Sequence, residues 1–161
     1  PAFVRAVARG IPAVTDSSSF SKDLLMNVKY TDAAGNEVNP QLFTQGGDFR
    51  MVVTIKNPGV LKDYEGLALR TVFPSGWEII NKRLNDIPQD QNQAAGYQDI
   101  RDDRVYTYFD LPMNRQKTFV FHLNAAYTGQ FYLPPVSCEA MYDERVRAQT
   151  AGRMVTVTPG K

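Results

Sequence analysis

Apolar residues in this chain alternate with polar ones instead of recurring every three or four positions. That is the two-residue period of a strand with one buried face. In LLMNVKY, Leu24, Met26, Val28 and Tyr30 share one face and Asn27 and Lys29 the other. In DFRMVVTIKN, Phe49, Met51, Val53 and Ile55 alternate with Arg50, Val52, Thr54 and Lys56. LALRTVF sets Leu67, Leu69 and Phe73 against Arg70, and RVYTYFDL sets Val105, Phe109 and Leu111 against Tyr106, Tyr108 and Asp110. TFVFHLNAAY places Phe119, Phe121, Leu123 and Tyr127 opposite Thr118, His122 and Asn124. Residues 136–142 read as a further strand, with Val136, Cys138, Ala140 and Tyr142 in an apolar row and Ser137, Glu139 and Met141 opposite. RMVTVT reads as the last strand.

Turn signals separate these runs: DAAGN at 32–36, NPG at 57–59, PSG at 74–76 and TG at 128–129. Six to nine short strands so joined predict an all-β fold, an antiparallel β-sandwich with one face of each sheet solvated. Val53, Ile55, Leu69, Phe109, Phe121 and Leu123 are its expected core. Pro134 and Pro135 lack the N–H a ladder needs, so they predict a strand break at an edge or bulge. The stretch IPQDQNQAAGYQDIRDD (87–103) has neither period and reads as a long surface loop, mobile over 87–98. Residues 1–14 read as a strand or linker from a preceding region, and residues 15–161 as the sandwich domain.

A length of 161 residues fits one domain with an extension. Net charge is +1, from 18 basic and 17 acidic residues, with no polybasic run, which argues against nucleic acid and anionic membrane surfaces as partners. No apolar run approaches the ~20 residues of a membrane span, so no direct membrane insertion is expected. The single cysteine makes no intramolecular disulfide. The chain opens PAFVRAVARG, with neither Met nor a leader pattern, and reads as a piece of a longer or processed protein.

The densest run of reactive side chains is YLPPVSCEAMYDERVRAQT, 132–150. A nucleophilic cysteine needs a cation such as His beside it to lower its thiol pKa. The only histidine, His122, alternates onto the polar face of another run, so Cys138 reads as a small core hydrophobe. Glu139, Asp143 and Glu144 have the composition of an acid/base pair, but adjacent Arg145 and Arg147 point to ordinary ion pairing. Asp99, Asp102 and Asp103 lack the alternation and glycine of an EF-hand loop. Trp77 and the eight tyrosines are the material of a sugar-stacking platform, yet sandwich aromatics mostly fill the core. Tyr142 carries a hydroxyl that needs a partner at the sheet end. No phosphate-cradling glycine motif and no zinc spacing occur. The residues assign no catalytic, cofactor-binding or metal site and no cofactor, and the chain is not expected to be an enzyme.

Three stretches together resemble one family. FPSGWEIINKRL (73–84), DIRDDRVYTYFDL (99–111) and AAYTGQFYLPPVSCEAMYDERVRAQTAGRMVTV (125–157) are similar, in order and spacing, to the C-terminal domain of bacterial alpha-2-macroglobulins. The resemblance runs through residues 15–158. It implies an immunoglobulin-like, macroglobulin-type sandwich from a large multidomain protein of the Gram-negative periplasm or cell envelope. That family traps or inhibits proteases, often through a Cys-x-Glu-Gln thioester. The resemblance implies neighbouring domains as direct partners and target proteases as partners of the whole protein. It carries over no functional residue: Cys138 is followed by Glu139, Ala140 and Met141, not by the thioester pattern. An alternative function is a carbohydrate-binding sandwich of an envelope protein, which a solvent-exposed aromatic row including Trp77 would favour; a small hydrolase would need a concave site with convergent titratable groups, which nothing in the sequence supplies.

Overall fold

Alternation and β-branched or aromatic side chains make the strands, and the computed structural model describes residues 18–80 and 96–160. Its strands are β1 (Phe20–Lys22), β2 (Leu25–Thr31), β3 (Leu42–Thr44), β4 (Asp48–Lys56), β5 (Tyr64–Val72), β6 (Trp77–Ile79) and β7 (Tyr97–Ile100). They continue with β8 (Arg104–Leu111), β9 (Gln116–Ala125), β10 (Gly129–Leu133), β11 (Ser137–Ala140), β12 (Asp143–Gln149) and β13 (Arg153–Thr158). A six-stranded sheet has the order β1-β12-β11-β5-β8-β7 and a four-stranded sheet the order β2-β4-β9-β6. A small sheet, β10-β13-β3, completes the all-β sandwich.

Aromatic contacts close the two large sheets on each other. Phe109 of β8 meets Phe119 of β9 at 4.8 Å between ring centroids, and Phe73 meets Phe121 at 6.0 Å. The six expected core residues are all buried between them. The small sheet joins the core through Phe43, whose ring stacks on Phe49 at 4.0 Å and meets Trp77 edge-on at 5.4 Å.

Several expectations need correction. Thirteen strands, not six to nine, occur among the described residues. Most of the additional ones have three to five residues, too few to display a period. One pair, β13 with β3, is parallel (Thr156↔Leu42 to Thr158↔Thr44), so the pairing is not wholly antiparallel. The polar stretch 87–103 is not loop throughout. Tyr97–Ile100 pairs with β8, and the Gly96 N–H donates to the Tyr108 carbonyl at 2.9 Å. Residues 87–95 and 1–14 lie outside the described residues. Tyr127 is not in the core row: β9 ends at Ala125, and Tyr127 is 56% exposed with its hydroxyl 3.0 Å from Glu78.

Register defines two ends. At one, β4 leaves at Lys56 beside Leu25 of β2 and Gln116 of β9. There too β5 enters at Tyr64 beside Leu111 of β8, and β11 turns into β12. This end is called the hairpin pole below.

Candidate functional site

Cys138 lies on β11 between Leu69 of β5 and Ala148 of β12, at 1% exposure. Burial pushes its thiol pKa far up, and the Glu139 carboxylate adds to the shift. His122 sits on β9 of the other large sheet, between core-facing Phe121 and Leu123, on the opposite face. No thiolate–imidazole pair forms, so the sequence reading of Cys138 as a core hydrophobe holds.

Of the carboxylates in the same stretch, Asp143 is ion-paired with Arg145, as the neighbouring arginines indicated. Asp143 accepts from Arg145 Nη2 at 2.9 Å and from the Arg145 backbone N–H at 3.1 Å. These bonds hold its carboxyl down to about 2. Arg147 instead lies over the Phe20 ring, 5.2 Å from its centroid. In the 99–104 stretch, Arg101 pairs with Asp99 at 3.0 Å and Arg104 with Asp103 at 2.7 Å, and the Arg104 hydrogen bond lowers the Asp103 pKa. Among the described residues no group of three or more His, Cys, Asp or Glu is arranged to hold a metal ion. Trp77 is 3% exposed, inside an aromatic cluster with Tyr30, Phe43 and Phe49, so it supplies no stacking surface.

What the molecule does present is the hairpin pole. β11 ends at Ala140, paired with Asp143, and the chain reverses through Met141 and Tyr142. Tyr142 is therefore not part of the β11 row and has no place in the sheet: it is 90% exposed, and Met141 is 52% exposed. The turn is braced from both sides. The Met141 N–H donates to the Gly66 carbonyl at 3.1 Å, and the Asp143–Arg145 bonds fix the outgoing strand. Gly66 takes φ +63° and leaves room for the tip: a Cβ there would lie 3.3 Å from Met141 Cε and 3.7 Å from Tyr142 Cε2.

Two neighbouring loops complete the pole. In the 57–63 loop, buried Asn57 donates through Nδ2 to the carbonyls of Lys62 (2.8 Å) and Leu111 (3.1 Å) and accepts from the Gly59 N–H (2.9 Å). Asp63 accepts the Met113 N–H at 2.7 Å, tying this loop to the β8–β9 turn. Val60, Leu61 and Met113 are exposed on these braced loops. Asp23, Lys62, Asp143 and Arg145 act on one another electrostatically around the same end. Exposed thioether, aliphatic and aromatic groups inside a charged rim are the anatomy of a protein–protein contact. Sequence reasoning missed this site because Met141 and Tyr142 fit the alternation of the strand before them. The available signal was the jump from an apolar pair straight into Asp-Glu-Arg.

Comparison with known proteins places this geometry. Residues 24–144 match the family model described as the bacterial alpha-2-macroglobulin MG10 domain. The alpha-2-macroglobulin of Pasteurella multocida (strain Pm70) is 24% identical over 151 residues, a match covering 94% of this chain and 8% of that protein. Native alpha-2-macroglobulin from Escherichia coli, from domain MG7 to the C-terminus, shares the fold with TM-score 0.78 at 18% identity over 89% of this chain and 25% of that one. Trypsin-activated alpha-2-macroglobulin from Escherichia coli does so with TM-score 0.74 at 16% identity, over 88% of this chain and 11% of that one. The chain thus spans only a small part of the relatives it matches. Since the family match extends over well more than half of its residues, this chain belongs to the bacterial alpha-2-macroglobulin MG10 domain family.

Proposed function

We propose that this chain is a non-catalytic docking and scaffold domain of a protease-trapping alpha-2-macroglobulin of the Gram-negative periplasm or cell envelope. Its hairpin pole packs against a neighbouring domain of the parent protein. Target proteases are engaged by the parent as a whole. Residues 15–161 act as one domain, and residues 1–14 connect it to what precedes.

The observation that carries the reading is the braced exposure of Tyr142 and Met141. A large aromatic ring held on a rigid turn gives up little conformational freedom on burial, which makes it an effective anchor. A secondary support is that the fold is matched in both a native and a trypsin-activated relative.

The experiment is the double substitution Met141→Ser with Tyr142→Ser in the full parent protein. Both side chains are exposed, so the domain itself should keep its fold, read as an unchanged circular dichroism spectrum. The expected result is a less compact parent in small-angle scattering or native electrophoresis, with altered trapping of a test protease. Unchanged compactness and unchanged trapping would overturn the proposal.

A further inference from the structure

The outer face of the six-stranded sheet is built differently from the pole. Register sets Tyr97 of β7 opposite Tyr108 of β8, and Tyr108 opposite Ala68 of β5. The next rung holds Asp99, Tyr106 and Arg70. On the far side of Ala68 the same row continues through Glu139 of β11 to Arg147 of β12. The Tyr97 and Tyr108 rings stand 6.0 Å apart between centroids with 29° between their planes, and Tyr97 is 64% exposed. Asp110, the next outward residue of β8, accepts the Gly66 N–H at 2.8 Å.

The chemistry of this face selects among ligands. Around the tyrosine pair the rows contain only one aliphatic side chain, Ala68, so little here anchors an apolar protein surface. Arg70, Arg101 and Arg147 are matched by Asp99, Asp110 and Glu139, so a polyanion gains no net attraction. What the face offers is the exposed ring of Tyr97, stacked on the half-buried ring of Tyr108, and aromatic ring faces attract polarised C–H groups. Guanidinium and carboxylate groups beside them donate to and accept from hydroxyls. A pyranose ring has both complements, an apolar C–H face and a hydroxyl rim. The exposed row including Trp77 that the sequence alternative required does not exist, since Trp77 is buried; the exposed aromatic on this face is Tyr97.

We propose that the outer face of the six-stranded sheet binds a neutral oligosaccharide, with a pyranose ring lying on the exposed Tyr97 ring that Tyr108 supports, and the oligosaccharide's hydroxyls held by Arg70 and Glu139. The surface is separate from the hairpin pole, so the two readings stand or fall independently.

The test is affinity electrophoresis and calorimetry on the full protein carrying this chain, with chitohexaose and cellohexaose as neutral probes and heparin as a polyanion. The expected result is saturable binding of at least one neutral hexasaccharide. Tyr97→Ala should weaken that binding about tenfold, the scale of one ring contact. Tyr97→Phe, which keeps the ring, should bind as the wild type does. Four outcomes would overturn the proposal: no binding of either hexasaccharide, binding of heparin alone, equal binding by Tyr97→Ala, or protection of Tyr97 from iodination in the unliganded protein. The last would mean that another protein surface covers the face.

Discussion

Two buried side chains keep their protons because of where they sit. Cys138, locked between Leu69 and Ala148, should react slowly with maleimide in the native protein and quickly in denaturant. Cys138→Ala should cost about 1 kcal/mol, the small void left by one sulfur, as read by chemical denaturation. Tyr30 packs edge-on against Trp77 at 6.0 Å, and burial pushes its hydroxyl up to about 12, with Arg153 pulling slightly the other way. The unfolded tyrosine ionises near its ordinary 10.0, below the folded value. The resulting stability is therefore complete below pH 10 and lost as the pH rises towards 12. Unfolding followed against pH should show this alkaline loss, and Tyr30→Phe should remove Tyr30's part of it while Cys138 retains its own. Asp143 has the opposite sign. Its carboxyl is held down to about 2 from the ordinary 3.8, so the hairpin is supported above that ordinary value and loosens as pH falls towards 2. Because its partner Arg145 is exposed to solvent, salt should weaken this effect.

At the scale of elements, Gly66 couples β5 to the hairpin tip. Its φ of +63° disfavours any side chain, and an added Cβ would press on Met141 Cε. Gly66→Ala should cost about 1–2 kcal/mol, measured by urea unfolding, and should displace the tip. The strands legible in the sequence were those long enough to show a period. The nine residues of β4 and ten of β9 alternate through several turns of the pattern. β12 escaped because only Val146 and Ala148 mark its buried face among arginines and carboxylates. β1, β3 and β6, at three residues each, are strands by virtue of their partners rather than their own composition. The site was the least legible part. The turn at Met141 and Tyr142 carries no Gly, Pro, Asn or Asp, the residues that announce a reversal. Its position is fixed by Gly66 and Asp110 on other strands, which local pattern cannot reveal.

On the proposed reading, the question for the whole molecule is whether the domain deforms or merely moves when a protease attacks its parent. The inter-sheet core is continuous from Trp77 and Phe49 through Phe121 to Phe119 and Phe109, and packed cores resist continuous deformation. Such packing favours displacement as a rigid body. The domain's response should then be confined to the surfaces that change neighbours. Hydrogen exchange on the parent before and after protease treatment is the measurement that separates the alternatives. Amides of β4 and β9, paired through nine registered positions from Asp48↔Asn124 to Lys56↔Gln116, should exchange at the same rate in both states. Amides of the Met141–Tyr142 turn and the 57–63 loop should change their rates, because a docked pole is shielded and a released one is open to solvent. Faster exchange in β4 and β9 after treatment would mean that the sandwich itself opens, and the rigid docking domain would have to be abandoned.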